Sequence, residues 1–221
     1  MSDGKRPFDV YSQLTPLAVT HSDRPKITLV LGGLGLNARL TRKAIAMLPG
    51  DVTLGFAPYG DNLQALVNEA RAQGHEILLQ LPMEPVGYPG TSPGPRTLLS
   101  DASPEQNRAA LQWLMSRFAG YSGITNYMGA RLLVSADALR PVMREVQSRG
   151  LAYLEDASVN RTLSPKLAQE LRLPIQRASA VIDAEPTAPA IMAALGKLEA
   201  EATQNGSAIA TGSGLDVTIE T

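Results

Sequence analysis

Ile27-Thr28-Leu29-Val30-Leu31-Gly32-Gly33-Leu34-Gly35-Leu36-Asn37-Ala38 is the stretch that decides the fold. Its first half is a continuous apolar run, the pattern of a strand buried on both faces of a parallel sheet. Its glycines form a turn, and Asn37 stands where a helix N-cap would. The unit reads as strand, turn, helix, and it recurs. Strand-like runs follow at Val52–Phe56, Glu76–Leu81, Gly123–Asn126, Leu151–Glu155, Ala178–Asp183 and Ser207–Thr211. Strict strand–helix alternation favours a parallel sheet with right-handed crossovers. Seven such strands make an open sheet or a barrel, and periodicity alone does not choose.

The helices between the strands are well signposted. Ser103-Pro104-Glu105-Gln106 is a capping box with proline at the first helical position. Gly120 is expected to stop that helix and Gly74 the one before it. Asn37 and Asp61 are expected as caps, and Pro141 as a distortion near the start of its helix. Ser164-Pro165 opens a short helix, and a longer one runs from Thr187 to Gly206. Residues 1–25 are polar, broken by Pro7, Pro16 and Pro25, and read as an irregular arm. Residues 26–221 read as a single domain. The one long loop, Pro82 to Ala102, is rich in proline and glycine, and loops of that length usually serve a function. Val217-Thr218-Ile219 would begin another helix just where the sequence ends, so a final helix and strand are expected beyond it.

Composition excludes several classes of function. The chain has 221 residues, 44% of them hydrophobic and 19% charged, enough for a sizeable core. A net charge of -1 gives no sign of a polyanion partner such as nucleic acid. Aromatics are 5%, with Trp113 the only tryptophan, so a broad sugar-stacking platform is not expected, although composition still allows a narrow polar pocket. There is no cysteine, hence no disulfide, thiol nucleophile or thiolate zinc site. No apolar run is long enough to span a membrane, and no signal peptide is visible.

Chemistry is expected at the carboxyl ends of the strands, in either sheet geometry. Gly33-x-Gly35-x-x-Ala38 matches a dinucleotide fingerprint, whose amides would cradle a pyrophosphate. The acidic residue that should close the next strand is absent, because Phe56-Ala57-Pro58 stands there. The plainer reading is a flexible turn capped by Asn37. The two histidines are poorly placed as metal ligands: His21 is in the arm, and His75 lies at the wrong end of its strand. An all-oxygen site from Glu84, Asp156 and Asp183 matches no loop motif. Ser213, in Gly212-Ser213-Gly214, has no histidine base. Asn126, Tyr127 and Arg131 are of more interest, since Arg131 offers a planar fork for an anionic or hydroxyl-rich ligand.

Three segments carry a resemblance. They are Gly32-Gly33-Leu34-Gly35, then Leu78-Leu79-Gln80-Leu81-Pro82-Met83-Glu84-Pro85, then Asn126-Tyr127-Met128-Gly129-Ala130-Arg131. Gly87-Tyr88-Pro89, Pro93-Gly94-Pro95-Arg96-Thr97-Leu98-Leu99 and Gly206-Ser207-Ala208-Ile209-Ala210 extend it. Together they resemble the divergent polysaccharide deacetylase family. The resemblance implies a distorted barrel of about seven β/α units and a periplasmic or cell-envelope location. In enzymes of that wider group an aspartate and two histidines hold a divalent metal, a second aspartate is general base, and a late histidine assists the leaving group. The paired aspartates correspond to Gly32 and Gly33, the two metal-binding histidines to Gln80 and Tyr127, and the late histidine to Ser213. Glu155 is a possible stand-in for a family carboxylate, and Asp183 keeps one.

The expectation is therefore a distorted (β/α)7 barrel whose cleft persists without its metal. The cleft should be built from Gly32, Gly33, Gln80, Glu84, Asn126, Tyr127, Arg131, Asp183 and Ser213, under the Pro82–Ala102 loop. No cofactor is expected, and a glycan or an envelope protein is the expected partner. Deacetylation by the inherited route is not expected. Two competing readings remain: a hydrolase with Glu84 and Asp183 as acid and base, and a nucleotide-dependent enzyme using Gly33 to Ala38.

Overall fold

A computed structural model describes residues 4–13, 15 and 17–221. Its centre is an eight-stranded, all-parallel sheet. The strands are β1 (Lys26–Leu34), β2 (Thr53–Phe56), β3 (Ile77–Met83), β4 (Gly123–Met128), β5 (Ala152–Glu155), β6 (Ile175–Arg177), β7 (Ala180–Val181) and β8 (Ser207–Ser213). Their order is β6-β5-β4-β3-β2-β1-β8-β7. The edge strands β6 and β7 are thus far apart in the sheet but nearly adjacent in sequence. Ala178 donates its N–H to Glu155 of β5, and the next residue, Ser179, donates to Ile209 of β8, both at 2.8 Å. Neighbouring Cα atoms are only about 3.8 Å apart. The sheet must therefore curl until β5 and β8 nearly meet, and the chain itself bridges the gap. The result is a distorted barrel closed by a crossing segment rather than by a ladder.

That crossing corrects the expected strand list. The run Ala178–Asp183 is not one strand: only Ala180–Val181 pairs, with β8. Ile175–Arg177 is the additional strand and pairs with β5. It is too short and too exposed to show an apolar pattern. The remaining strands overlap their expected runs, with β3, β4 and β8 each reaching two residues further and β1 reaching on to Leu34.

Helices cover the outside of the sheet. They are α1 (Pro7–Tyr11), α2 (Leu17–Thr20), α3 (Ala38–Met47), α4 (Leu63–Ala72), α5 (Pro104–Met115), α6 (Ala136–Ser148), α7 (Ser164–Leu171), α8 (Ala188–Asn205) and α9 (Asp216–Glu220). Asn37 does cap α3, accepting from Leu40 N–H at 3.1 Å. Ser103 and Gln106 form the full capping box of α5. Asp61 does not cap α4; Asn62, in the left-handed region, holds that position. Helix α5 ends at Met115, before Gly120. Two single-turn helices, α1 and α2, lie in the stretch expected to be an irregular arm.

Side chains alternate along each strand. Leu31, Leu54, Leu79, Leu81 and Ile124 face outward and pack against Ile45, Leu66, Val67, Leu111, Leu114, Val142 and Met143 of the helices. This outer layer is the main core. Val30, Leu78 and Leu154 face inward, with Ile209 against them, and form one thin apolar layer across the lumen. Below it lies a cavity of about 420 Å³ to which Phe8 of the N-terminal stretch contributes. Phe8 N–H donates to Gly150, Gln13 N–H to the Glu76 carboxylate, and Arg71 to the Tyr11 carbonyl. The N-terminal stretch thus lies across the lower end of the barrel, leaving the carboxyl ends of the strands open.

Candidate functional site

A cavity of about 540 Å³ opens at those carboxyl ends. Its floor is built by inward-facing positions of successive strands: Gly32 on β1, Gln80 on β3, Thr125 and Tyr127 on β4, Asp156 just after β5, and Thr211 and Ser213 on β8. Its walls are mostly apolar, with Leu36, Ala57, Pro58, Pro82, Pro93, Met128, Val181 and Leu215. Of the long Pro82–Ala102 loop, only Pro82 and Pro93 reach it.

Two glycines and a glutamine fit together in this floor. Gln80 Oε1 accepts the Gly33 N–H at 2.6 Å. A Cβ added to Gly32 would stand 2.3 Å from Gln80 Nε2, so the amide occupies the space that any side chain at position 32 would need. Gly33 has φ +75°, and a Cβ there would meet nothing within 4 Å. Gly32 is thus small because of a close approach, and Gly33 is glycine because of its backbone.

Asp156 is held from three sides. Its Oδ1 accepts from Asn126 Nδ2 at 2.8 Å, from Ser158 N–H at 2.9 Å and from Ser158 Oγ at 2.6 Å. Its backbone N–H donates to Asn126 Oδ1, and its carbonyl accepts from Thr211 Oγ. Burial pushes the carboxyl group above its usual range, while the bonds from Ser158 and Asn126 pull the other way. The residues that follow Tyr127 and Asp156, Met128 and Ala157, both sit in the left-handed region, at φ +60° and +65°. Such strain in residues other than glycine tends to collect at functional sites.

A family model described as divergent polysaccharide deacetylase matches residues 29–221. The chain belongs to that family. The crystal structure of the uncharacterized protein ATU2773 from Agrobacterium tumefaciens C58 is 41% identical, with a TM-score of 0.94 over all of this chain and 88% of that one. The uncharacterized protein YibQ of Escherichia coli K12 is 21% identical over 85% of this chain and 58% of its own length. An uncharacterized Haemophilus influenzae protein is 24% identical over 66% of this chain and 51% of its own. The chain therefore spans a little over half the length of these two curated relatives.

In this member of the divergent polysaccharide deacetylase family the positions that the resemblance assigns to the metal and its chemistry, Gly32, Gly33, Gln80, Tyr127 and Ser213, all line the one cavity. The residues present do not fit a divalent metal. Asp156 is the single carboxylate among the cavity-lining residues, and no histidine joins it. Among the described residues no group of three or more His, Cys, Asp or Glu could hold a metal ion. His75 is buried at the opposite end of its strand, with its ring nitrogens on the carbonyls of Val52 and Ile45.

The other expected cleft residues lie elsewhere. Glu84 is 1% exposed and does not line the cavity. Its Oε2 accepts from Ser100 N–H and Oγ, both at 2.6 Å, and its Oε1 pairs with Arg131 at 3.1 Å. Glu84 and Arg131 are thus joined to each other, fastening the two ends of the long loop to the turn after β4. Asn126 faces outward, because it neighbours inward-facing Tyr127 on an alternating strand; its side chain positions Asp156. Asp183 accepts from Ser213 N–H and Thr218 Oγ and also stays outside the cavity. Glu84 and Asp183 therefore do not form an acid–base pair in the cleft, and neither joins Asp156 in an oxygen site. Glu155 is fully buried on the outer face, against Arg177 and Thr162. The nucleotide reading fails as well. Gly33 N–H is bound by Gln80, Gly35 N–H by Thr41 and Leu40 N–H by Asn37, so these amides are not free for phosphate.

Thr125 and Thr211 are polar cavity residues that motif reading passed over, and Asp156 was weighed only as part of an oxygen site. The signal for them was strand parity. Thr125 pairs in register with Leu154, so the position two residues beyond each faces the same lumen.

Proposed function

We propose that this protein binds a glycan of the cell envelope in the upper cavity, and that it does so without metal-dependent deacetylation. The observation that carries this reading is the Gln80 amide seated against Gly32. At the inherited metal position Gln80 stands where the resemblance puts a histidine, and its amide lies in the space that a side chain at Gly32 would enter. The same cavity remains open, with hydroxyl, amide and carboxylate groups on its floor suited to a ligand rich in hydroxyls and amides. The family supports the link to carbohydrate and to a periplasmic or envelope location. Among the described residues no helix is long and apolar enough to cross a membrane.

The test has two arms. Acetate release from N-acetylated oligosaccharides, with zinc, cobalt or nickel added, should stay at the uncatalysed rate. Binding of envelope glycans, followed by calorimetry, should weaken when Gln80→Ala and Tyr127→Phe are combined. Turnover that needs added metal would overturn the first part. A glycan whose affinity ignores both substitutions would overturn the second.

A further inference from the structure

The floor of the upper cavity carries one charged side chain, Asp156, and the residues lining the cavity include no lysine, arginine or histidine. No ion pair to Asp156 is recorded among the described residues. Its bonds from Asn126 and Ser158 all converge on Oδ1, and no described residue donates to Oδ2. Of the buried acids elsewhere in this molecule, Glu84 and Glu155 each have an arginine. Asp183 has none recorded and, like Asp156, takes its bonds on one oxygen, but it lies outside the cavity. A buried charge without a partner is costly, and a cation placed beside it recovers much of that cost.

We infer that the upper cavity is built for a ligand bearing a protonated amine, which docks its ammonium group on the free oxygen of Asp156. The inference rests on the proposed glycan reading only for the rest of the ligand, which would then be an amino sugar rather than its N-acetylated form. Three features support it. The carboxylate is fixed from β4 and its own turn, and the Asp156 backbone from β8, so little ordering is needed on binding. The second group on the floor, Gln80, has its carbonyl oxygen bound to Gly33, while no described residue accepts from its Nε2; a donor of that kind suits a ligand hydroxyl rather than an ammonium. The walls at Leu36, Pro58 and Leu215 match the apolar face of a ring. Asp156 acts as a binding residue here, and no bond is made or broken.

The test uses three probes on the whole chain: glucosamine oligomers, the same oligomers fully N-acetylated, and cyclohexylamine. Binding is read from the amide shifts of Gly33, Ser158 and Ser213 in labelled protein. The expected result is that the amine oligomer binds at least about tenfold more tightly than its acetylated form, the size of one charge-assisted hydrogen bond. Asp156→Asn should erase that preference. This variant keeps an acceptor for Asn126 and Ser158 and changes only the second oxygen. The wild-type preference needs no variant, so a misfolded Asp156→Asn would not remove the test. If cyclohexylamine binds through Asp156 and neither oligomer binds, the amine site stands and the glycan reading falls. If the acetylated oligomer binds as tightly as the amine, the glycan reading stands and the amine site is overturned. If no probe moves these amides, both are overturned.

Discussion

Two carboxylates, Glu84 and Asp156, follow strands at the same end of the barrel, yet they belong to different regions of the molecule. Glu84 lies among donors: Ser100 takes one oxygen twice and Arg131 takes the other. It joins both ends of the long loop to the turn after β4 and shows nothing to the cavity. Asp156 uses one oxygen for architecture and leaves the other without a donor, on the floor of an open cavity. Position at a strand end is therefore weak evidence of function. The accounting of hydrogen bonds around each group separates an architectural acid from one available to a ligand.

The largest effect should come from breaking the architectural region. Glu84→Ala leaves the Arg131 guanidinium and Ser100 without their acceptor. Arg131, whose side chain is 54% exposed, can turn to solvent; losing the two hydrogen bonds from Ser100 to the charged carboxylate costs about 1.5–3 kcal/mol each. Urea unfolding measures it. A loss as small as that of Asp156→Asn would erase the distinction between the two regions.

Next come the floor glycines. Gly32→Ala forces the Gln80 amide aside and should cost about 1–3 kcal/mol, as overpacking does. The same change in a Gln80→Ala background should cost much less, and the double-mutant cycle reads the coupling directly. Gly33→Ala meets no atom but places a side chain at positive φ, for about 1–2 kcal/mol. It should show little relief from Gln80→Ala. Equal relief at both positions would mean that the close approach and the backbone are not separate causes.

The smallest stability effect should be that of Asp156→Asn, within about 1 kcal/mol near neutral pH because Oδ1 and its donors are kept. Its sign should change with pH in a defined way. Burial raises the folded carboxyl above its unfolded value. The folded state then holds its proton more tightly, so wild type gains stability relative to Asp156→Asn as pH falls from the folded value toward the unfolded one. Glu155, on the opposite face of the strand beside Arg177, adds a smaller push in the same direction, and burial lifts the neighbouring Tyr153 hydroxyl well above its ordinary value. A difference between the two proteins that is flat across acid pH would mean the carboxyl is fully solvated.

Most of the fold was legible because each β/α unit carries its own local signals. Apolar runs marked the strands, Asn37 and the Ser103–Gln106 box marked helix starts, and glycines marked stops. The closure of the barrel was not legible. It depends on Ala178 and Ser179 bonding to two strands distant in sequence, and no local pattern encodes that. Gly32, Gly33, Gln80, Tyr127 and Ser213, the positions set by the resemblance, line the upper cavity. Glu84, Arg131 and Asp183, which follow strands, and Asn126 within β4 lie outside it. For Asn126 the parity of β4 already put it opposite Tyr127. For Glu84 and Arg131 the sequence offered no sign that they meet each other rather than a ligand.

Zinc titration of chelator-treated protein, followed by calorimetry, tests the central claim most directly. The comparison is between wild type and a variant carrying Gly33→Asp, Gln80→His and Tyr127→His. The account predicts no stoichiometric zinc on the wild type and a new stoichiometric site in the variant, since removing Gln80 opens the space and supplies the ligands together. Tight stoichiometric zinc on the wild type, lost in Gln80→Ala, would contradict it.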